Sequence, residues 1–319
     1  MADRLYASVT GCSNIYTVQV SDSHTSPTAT ATITCGSTSL DVGDDVNINL
    51  GYTGSHGDVF YGYVKNVVRL QSPTRYEISC ANAMIRAVDF FIVSTNPETP
   101  YEAENISAED LVGDLMELAG LTSYNGGNTG FTFATNGVPL EVNLVSAYDY
   151  CKMIADIVAW HIYADINGTI HFADRPPFPD GGASAATLSN TNLLSVNYWR
   201  SDRDLRNRVV VYGSDGIFAE ASASSPYLPA GFYKSVAVAA PTVITSQAMA
   251  QKSADYNLAL LNRLTIGGAA VIQGDHSISC RDNVTVNKSD IGMSGTFYVY
   301  GLEHDWGKEG FKTNLELRK

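Results

Sequence analysis

Over the first 95 residues, apolar and polar positions alternate in short runs. The segments IYTVQV, TATATITC, DVNINLGY, VFYGYVKNVVRL and RYEISCA are rich in β-branched and aromatic residues and are broken by Gly, Pro, Ser and Asp, which is the pattern of strands with one face buried. Asn96-Pro97-Glu98-Thr99-Pro100 reads as a linker, because each proline disfavours helix in the residue before it. From about residue 101 the period changes. Ser107 precedes Asp110 at capping-box spacing, Ile106 and Leu111 take the staple positions, and Leu115 and Leu118 continue the apolar face to Gly120. The signature recurs at Ser146 with Asp149, with Val145 and Tyr150 as the staple and Met153, Ile154, Ile157 and Val158 as the stripe. HIYADI and TIHFAD then flank Asn167-Gly168, a hairpin signal. A two-residue type I′ turn there pairs 164 with 171 and 161 with 174, and so puts His161 and His171 on opposite faces.

Residues 176–190 read as a loop, and Arg206-Asn207-Arg208-Val209-Val210-Val211-Tyr212-Gly213 as the start of a new β region. Residues 214–243 are small and polar, and are expected to be a long excursion ordered in part on assembly. A helix is predicted from Ser246 to Leu264, N-capped by Ser246, ended by Gly267-Gly268, and packed on the second of two β-domains, at 181–319, through Ala250, Ala254, Leu258 and Leu261. The β-structure after the helix comprises VIQGDHSIS, RDNVTVN, GTFYVYGLEHDW and FKTNLELR.

Two distant stretches match. Asp44-Asp45-Val46-Asn47-Ile48-Asn49 parallels Asp282-Asn283-Val284-Thr285-Val286-Asn287. An aromatic strand follows each at near-constant spacing, with Gly62 set against Gly301. The expectation is one β-unit present twice. Val46, Ile48, Val284 and Val286 are then strand residues with one buried face.

The order of the C-terminal elements resembles that of phage tail and baseplate hub proteins, the late control protein D group and the related spikes of type VI secretion. A helix precedes Gly274-Asp275, then Val284-Thr285-Val286, then Gly295-Thr296-Phe297-Tyr298-Val299 running into His304, and last Thr313-Asn314-Leu315-Glu316-Leu317. The turn at Leu40–Val46 and the strand Phe60–Val64 resemble the first barrel of such hubs. The resemblance implies an α+β, mainly β fold. Two tail-tube-like barrels, at 1–95 and 181–319, flank a small α/β insertion at 96–180 made of two helices and a hairpin. It also implies a role: a structural hub in the virion, assembled in the host cytoplasm, that joins a six-fold tail tube to a three-fold spike around the DNA channel. The implied partners are two further copies in a homotrimer, tail tube protein, a spike or tail lysozyme-like protein, and other baseplate proteins.

Composition adds constraints. The formal charge of −13 in 319 residues argues against a protein that grips nucleic acid. No apolar run reaches the length of a membrane helix, so stable membrane insertion is not expected, and MADRLYASVTGCSN has no signal-peptide core. The five cysteines are scattered, without a C-x-x-C, and read as reduced thiols. No catalytic, cofactor-binding or metal-ligating residue is assigned. Glu303-His304-Asp305 is the densest polar cluster, but a strand sends its carboxylates one way and its imidazole the other. Enzyme motifs such as H-E-x-x-H and G-x-S-x-G are absent. The Arg200–Arg208 run fits either a contact between subunits or a solvated turn. The alternative functions are a tail-associated cell-wall hydrolase or a carbohydrate-binding tail module.

Overall fold

The computed structural model describes residues 4–71, 74–93, 100–135, 137–241 and 243–319. The linker predicted at Asn96–Pro100 lies, apart from Pro100, outside them.

The N-terminal alternating runs form β1 (Leu5–Val9), β2 (Cys12–Ser23), β3 (Thr30–Thr38), β4 (Asp45–Tyr52), β5 (Ser55–Leu70) and β6 (Arg75–Asn82). Their inward faces build one core from Val18, Val20, Ile33, Val46, Ile48, Leu50 and Ile78. The middle of the chain holds α1 (Ile85–Asp89), α2 (Ala108–Leu118) and α3 (Ala147–Val158), with short strands β7 (Phe91–Ile92), β8 (Tyr101–Ala103), β9 (Ile106–Ser107), β10 (Tyr124–Gly126), β11 (Thr132–Phe133), β12 (Leu140–Val142) and β13 (Val145–Ser146). The hairpin β14 (His161–Ala164) and β15 (Ile170–Ala173) follows. Both helix caps form as read: Ser107 Oγ accepts from Asp110 N at 3.1 Å, and Ser146 Oγ from Asp149 N at 3.0 Å.

The rest comprises β16 (Ser184–Leu188), β17 (Leu193–Ser201), β18 (Arg208–Tyr212), β19 (Phe218–Ser222), β20 (Ser235–Ala239), α4 (Gln247–Leu261), β21 (Thr265–Gln273), β22 (Asn283–Lys288), β23 (Met293–Gly307) and β24 (Gly310–Arg318). The fold is thus mainly β with helical insertions. The strands of the two expected barrels are continuous in one 12-stranded sheet, in the order β1-β4-β5-β6-β3-β2-β23-β24-β21-β17, with β22 and β16 joined to β23. No hydrogen-bonded ring closes among the described residues.

The duplication extends to topology. The first unit runs β1-β4-β5-β6-β3-β2 across the sheet and the second β16-β22-β23-β24-β21-β17. Each strand of one therefore has a counterpart at the same place in chain order in the other. Only the outermost pair differs: β1 runs antiparallel to β4, and β16 parallel to β22. The turns match bond for bond. Gly43 N donates to Val64 O and Val64 N to Asp44 O, while Arg281 N donates to Val299 O and Val299 N to Asp282 O. Asp44 Oδ2 accepts from Asp41 N, and Asp282 Oδ2 from Ser279 N. A register shift follows each, between Val64 and Asn66 and between Val299 and Gly301. Val64 therefore corresponds to Val299. This corrects the sequence alignment of the aromatic strands: Gly62 corresponds to Phe297, not Gly301, since both lie opposite the first valine of the repeat, Val46 and Val284.

Other expectations fail for reasons of long-range pairing. Within 176–190, Ser184–Leu188 is a strand parallel to β22. The excursion expected at 214–243 contributes two strands, β19 and β20, which flank β18 in a three-stranded sheet. The helix α4 covers that sheet, and does not lie on the second β-unit. Ala250 and Ala254 are fully buried in the same core as Leu111, Leu115, Ile154, Val209 and Val211, with Leu258 and Leu261 packed at its margin. Val209, Val211, Ala219, Ala221, Ile244, Ala250 and Ala254 thus join the core of the α/β insertion, leaving the second β-unit its own core of Val284, Val286, Phe297, Val299, Leu315 and Leu317. The helix ends at Leu261. Gly267 and Gly268 lie inside β21, where a Cβ would stand 2.7 Å from the Trp199 ring and 2.5 Å from Met293.

Val46 and Val284 are both fully buried. An aspartate at either site puts an unpaired charge in a core and costs several kcal/mol. Val46→Asp and Val284→Asp are each expected to abolish soluble expression or lower the melting temperature by more than about 10 °C. Normal melting of either variant would contradict the shared burial.

Candidate functional site: the junction of the two β-units

The two units meet where β2 pairs antiparallel with the distal half of β23, from Val18 opposite Trp306 to Ser23 opposite Gly301. A buried ion pair closes one end. Arg281 Nη1 donates to Asp22 Oδ2 at 2.7 Å, and its Nη2 to Ser23 O at 3.2 Å. Arg281 is 6% exposed and occupies the left-handed position, φ 78°, that Gly43 takes at φ 94° in the first unit. A side chain there costs about 1–2 kcal/mol. Losing it would leave Asp22 without its cation, a larger cost of roughly 3–5 kcal/mol.

Arg175, just after the hairpin, extends the junction. Its Nε donates to Arg281 O at 3.0 Å, it pairs with Asp180 at 2.9 Å, and its guanidinium lies 4.6 Å over the Tyr298 ring. Asn283 Nδ2 donates to Asp180 Oδ1 at 2.7 Å. Arg175, Asp180, Arg281 and Asn283, together with Tyr163, Asp165 and Asp282, line a cleft of ≈ 400 Å³. Burial raises the Asp180 carboxyl, but the hydrogen bonds from Asn283 and from Gly182 N, with the nearby Arg175 guanidinium, together hold it below the usual carboxylate range.

The hairpin is the third party. Its register differs from the sequence reading: Ala164 pairs with Ile170, Tyr163 with His171 and His161 with Ala173. The cause is Asp165, whose Oδ1 accepts from both Asn167 N and Thr169 N at 2.9 Å and lengthens the loop beyond two residues. The shift reverses the predicted faces. His161, Tyr163 and His171 lie on one face and stack in sequence, at 5.3 and 5.1 Å between centroids. His24, from the β2–β3 connection, stacks on His161 at 3.9 Å and hydrogen-bonds Tyr298 Oη at 2.7 Å, and Arg281 lies 4.5 Å over Tyr163. At the hairpin tip, Gly168 has φ +83°, and a Cβ there would meet the Tyr61 ring of β5 at 2.6 Å. The hairpin is therefore clamped between both β-units.

Both stacked imidazoles are held neutral. Burial first, then the Arg281 and Arg318 charges, lowers His24 to about 3. Burial, then His24 and Arg281, pushes His161 further down. His161 Nε2 has no protein partner among the described residues.

The remaining sequence candidates scatter. His304 is buried against Thr313 Oγ1 at 3.0 Å and lowered to about 4, chiefly by burial, whereas Asp305 is exposed. Within the Arg200–Arg208 run, Arg208 clasps Glu220 at 2.9 and 2.7 Å. Asp202 pairs with Lys234. The junction residues escaped the sequence reading because each lies far along the chain from its partners. The acidic turn repeat was the one available signal.

No family model and no curated protein matches the chain. Among solved structures, the tail protein from Neisseria meningitidis MC58 superposes with a TM-score of 0.71 at 14% identity, over 99% of this chain and 97% of that one. The 43 kDa tail protein of prophage MuSo2 from Shewanella oneidensis gives 0.69 at 11%, over 99% and 98%. This chain has the fold of phage tail proteins. The tail-protein fold also covers an E. coli type VI secretion component, c3393, described as similar in structure to the T4 bacteriophage tail proteins gp27 and gp5, with a TM-score of 0.58 at 12% identity over 98% of this chain and 76% of that one. At such identities the likeness lies in the backbone, and the junction chemistry of this tail-protein fold has to be read from the chain itself.

The histidine shifts carry a sign. Unfolded histidines take up protons near pH 6.5, whereas the folded ones do not. The stability they protect is complete above that pH and is lost as the pH falls below it, by about 1.4 kcal/mol per pH unit per histidine. The melting temperature is expected to fall between pH 7 and pH 5, and to fall less steeply in His161→Phe, which keeps a ring in the stack without a base. Parallel curves for the two proteins would contradict this reading.

Proposed function

We propose that the chain is a structural hub of a phage tail or baseplate, working in the virion after assembly in the host cytoplasm. Three copies form a ring of six quasi-equivalent β-units around the DNA channel, with tail tube protein on one side, a spike or tail lysozyme-like protein on the other, and further baseplate proteins at the rim. The observation that carries this reading is the duplication: two units of matching strand order, joined side by side by β2 and β23. Two units per chain let a three-fold assembly match a six-fold tube. The tail-protein fold of the solved relatives supports the same reading. The proposed role is not enzymatic: Asp22 pairs with Arg281, and Asp180 with Arg175 and Asn283, contacts that hold the junction together.

Light scattering of the chain mixed with its tube or spike partner is expected to give a mass of about three chains. A monomer under all such conditions would remove the hub reading.

The charge bears on DNA passage. A ring of three chains, each of net charge −13, repels phosphates wherever carboxylates lie within about 8 Å of the lumen at physiological salt. The assembled ring is expected to show no DNA retention in a low-salt filter assay. Tight, salt-sensitive retention would contradict a channel that DNA traverses without gripping.

A further inference from the structure

The junction inside the chain supplies a template for the junction between chains. β2 adds to β23 beyond the point where β22 stops, on Gly301–Trp306. In the second unit the counterpart of β2 is β17, which ends the sheet with one edge unpaired among the described residues. In the first unit the counterpart of the distal half of β23 is the distal half of β5. There Asn66–Leu70 has β6 on one side, while β4 has ended opposite Tyr63. Each unit thus leaves open the edge that its twin has filled.

The register follows from the equivalences already established. Val64 matches Val299, and the ladders through β6, β3 and β24, β21 match Ser21 with Trp199 and Asp22 with Arg200. Carrying the β2–β23 pairing over sets Ser201 opposite Asn66, Arg200 opposite Val67, Trp199 opposite Val68, Tyr198 opposite Arg69 and Asn197 opposite Leu70.

Two observations that did not enter that transfer agree with it. Trp199 and Val68 are both exposed large hydrophobic residues, each at 37%, and the register brings them face to face. The ion pair also reappears with its polarity reversed. Within the chain an acid on the strand, Asp22, meets a base on the turn, Arg281. Between chains a base on the strand, Arg200, meets a turn whose Arg281 position is Gly43 and whose neighbours are Asp41, Asp44 and Asp45. None of these four charged residues has an ion-pair partner among the described residues, and Arg200 Nε donates only to Tyr198 Oη at 3.0 Å.

We propose that β17 of one copy adds to the Asn66–Leu70 segment of β5 in the next copy, in this antiparallel register, with Trp199 on Val68 and Arg200 against the acidic Asp41–Asp45 turn. The inference rests on the trimer reading and names its contact surface. Three such junctions alternate with the three inside the chains, and fill the edge of β17 and that of Asn66–Leu70 in every copy.

The register is tested by disulfide trapping. The full chain carrying Trp199→Cys and Val68→Cys, oxidised under assembly conditions, is expected to run on a non-reducing gel as a ladder ending at three chains. Either single variant, or Arg200→Cys with Val68→Cys, stays monomeric on that gel. A second measurement avoids altering the apolar contact. Arg200→Glu is expected to weaken association at least about tenfold, and adding Asp41→Arg to restore most of it. Light scattering separates the failures. Trimers that form without the 199–68 crosslink, or that ignore both charge changes, overturn the register and leave the hub reading standing. Absence of trimers in the unmodified chain with its tube or spike partner overturns both.

Discussion

The structure depends on satisfying strand edges. A β-strand with a bare edge presents a row of N–H and C=O groups that pair with whatever strand is offered. In this chain β2 would be such an edge if the first unit stood alone. Here β23 is long enough, at 15 residues, to serve β22 with its first part and β2 with its second. The shift between Val299 and Gly301 lets one strand turn from one neighbour toward another. Everything else at the junction, including the buried Asp22–Arg281 pair, is built over that ladder.

The α/β insertion is held to this sheet by a hairpin that presents a row of stacked rings, His161, Tyr163 and His171, on one face. Stacked rings and guanidinium–ring contacts bury area while leaving the charged arginines their hydrogen bonds. His24 and His161 pack face to face only as neutral bases, because two imidazolium ions 3.9 Å apart in a buried site would repel and lose solvation. The clamp on the hairpin therefore depends on protonation. Arg281 shows the same economy on the backbone: its left-handed conformation is tolerated because the side chain it carries neutralises Asp22.

The excursion between β17 and β21 explains how a repeat can be present twice and still differ. In the first unit β2 leads to β3 through a short connection, whereas in the second β18, β19, β20 and α4 intervene. That insert buries Val209, Val211, Ala250 and Ala254 against α2 and α3 rather than against its own β-unit. The two insertions thus share one core, and the twin β-units keep similar edges.

Local chemistry was legible in the sequence. The three helix caps at Ser107, Ser146 and Ser246, the N-terminal strands, and the Asp44–Val46 and Asp282–Val284 turns follow from side-chain and backbone preferences within a few residues of each other. The tertiary structure decided what depends on distant partners. The strand 184–188 forms because β22 stands beside it, and α4 turns to the insertion because the β18–β20 sheet offers its apolar face there. Gly62 and Gly301 look equivalent by spacing, yet the hydrogen bonds of Val64 and Val299 align the two strands differently. The hairpin lies between these cases: Asn167-Gly168 marked the turn, but the carboxylate of Asp165 set its length, and with it the face on which His161 meets His24. A one-residue change of register moves every side chain across a strand, so no local pattern could have fixed that contact.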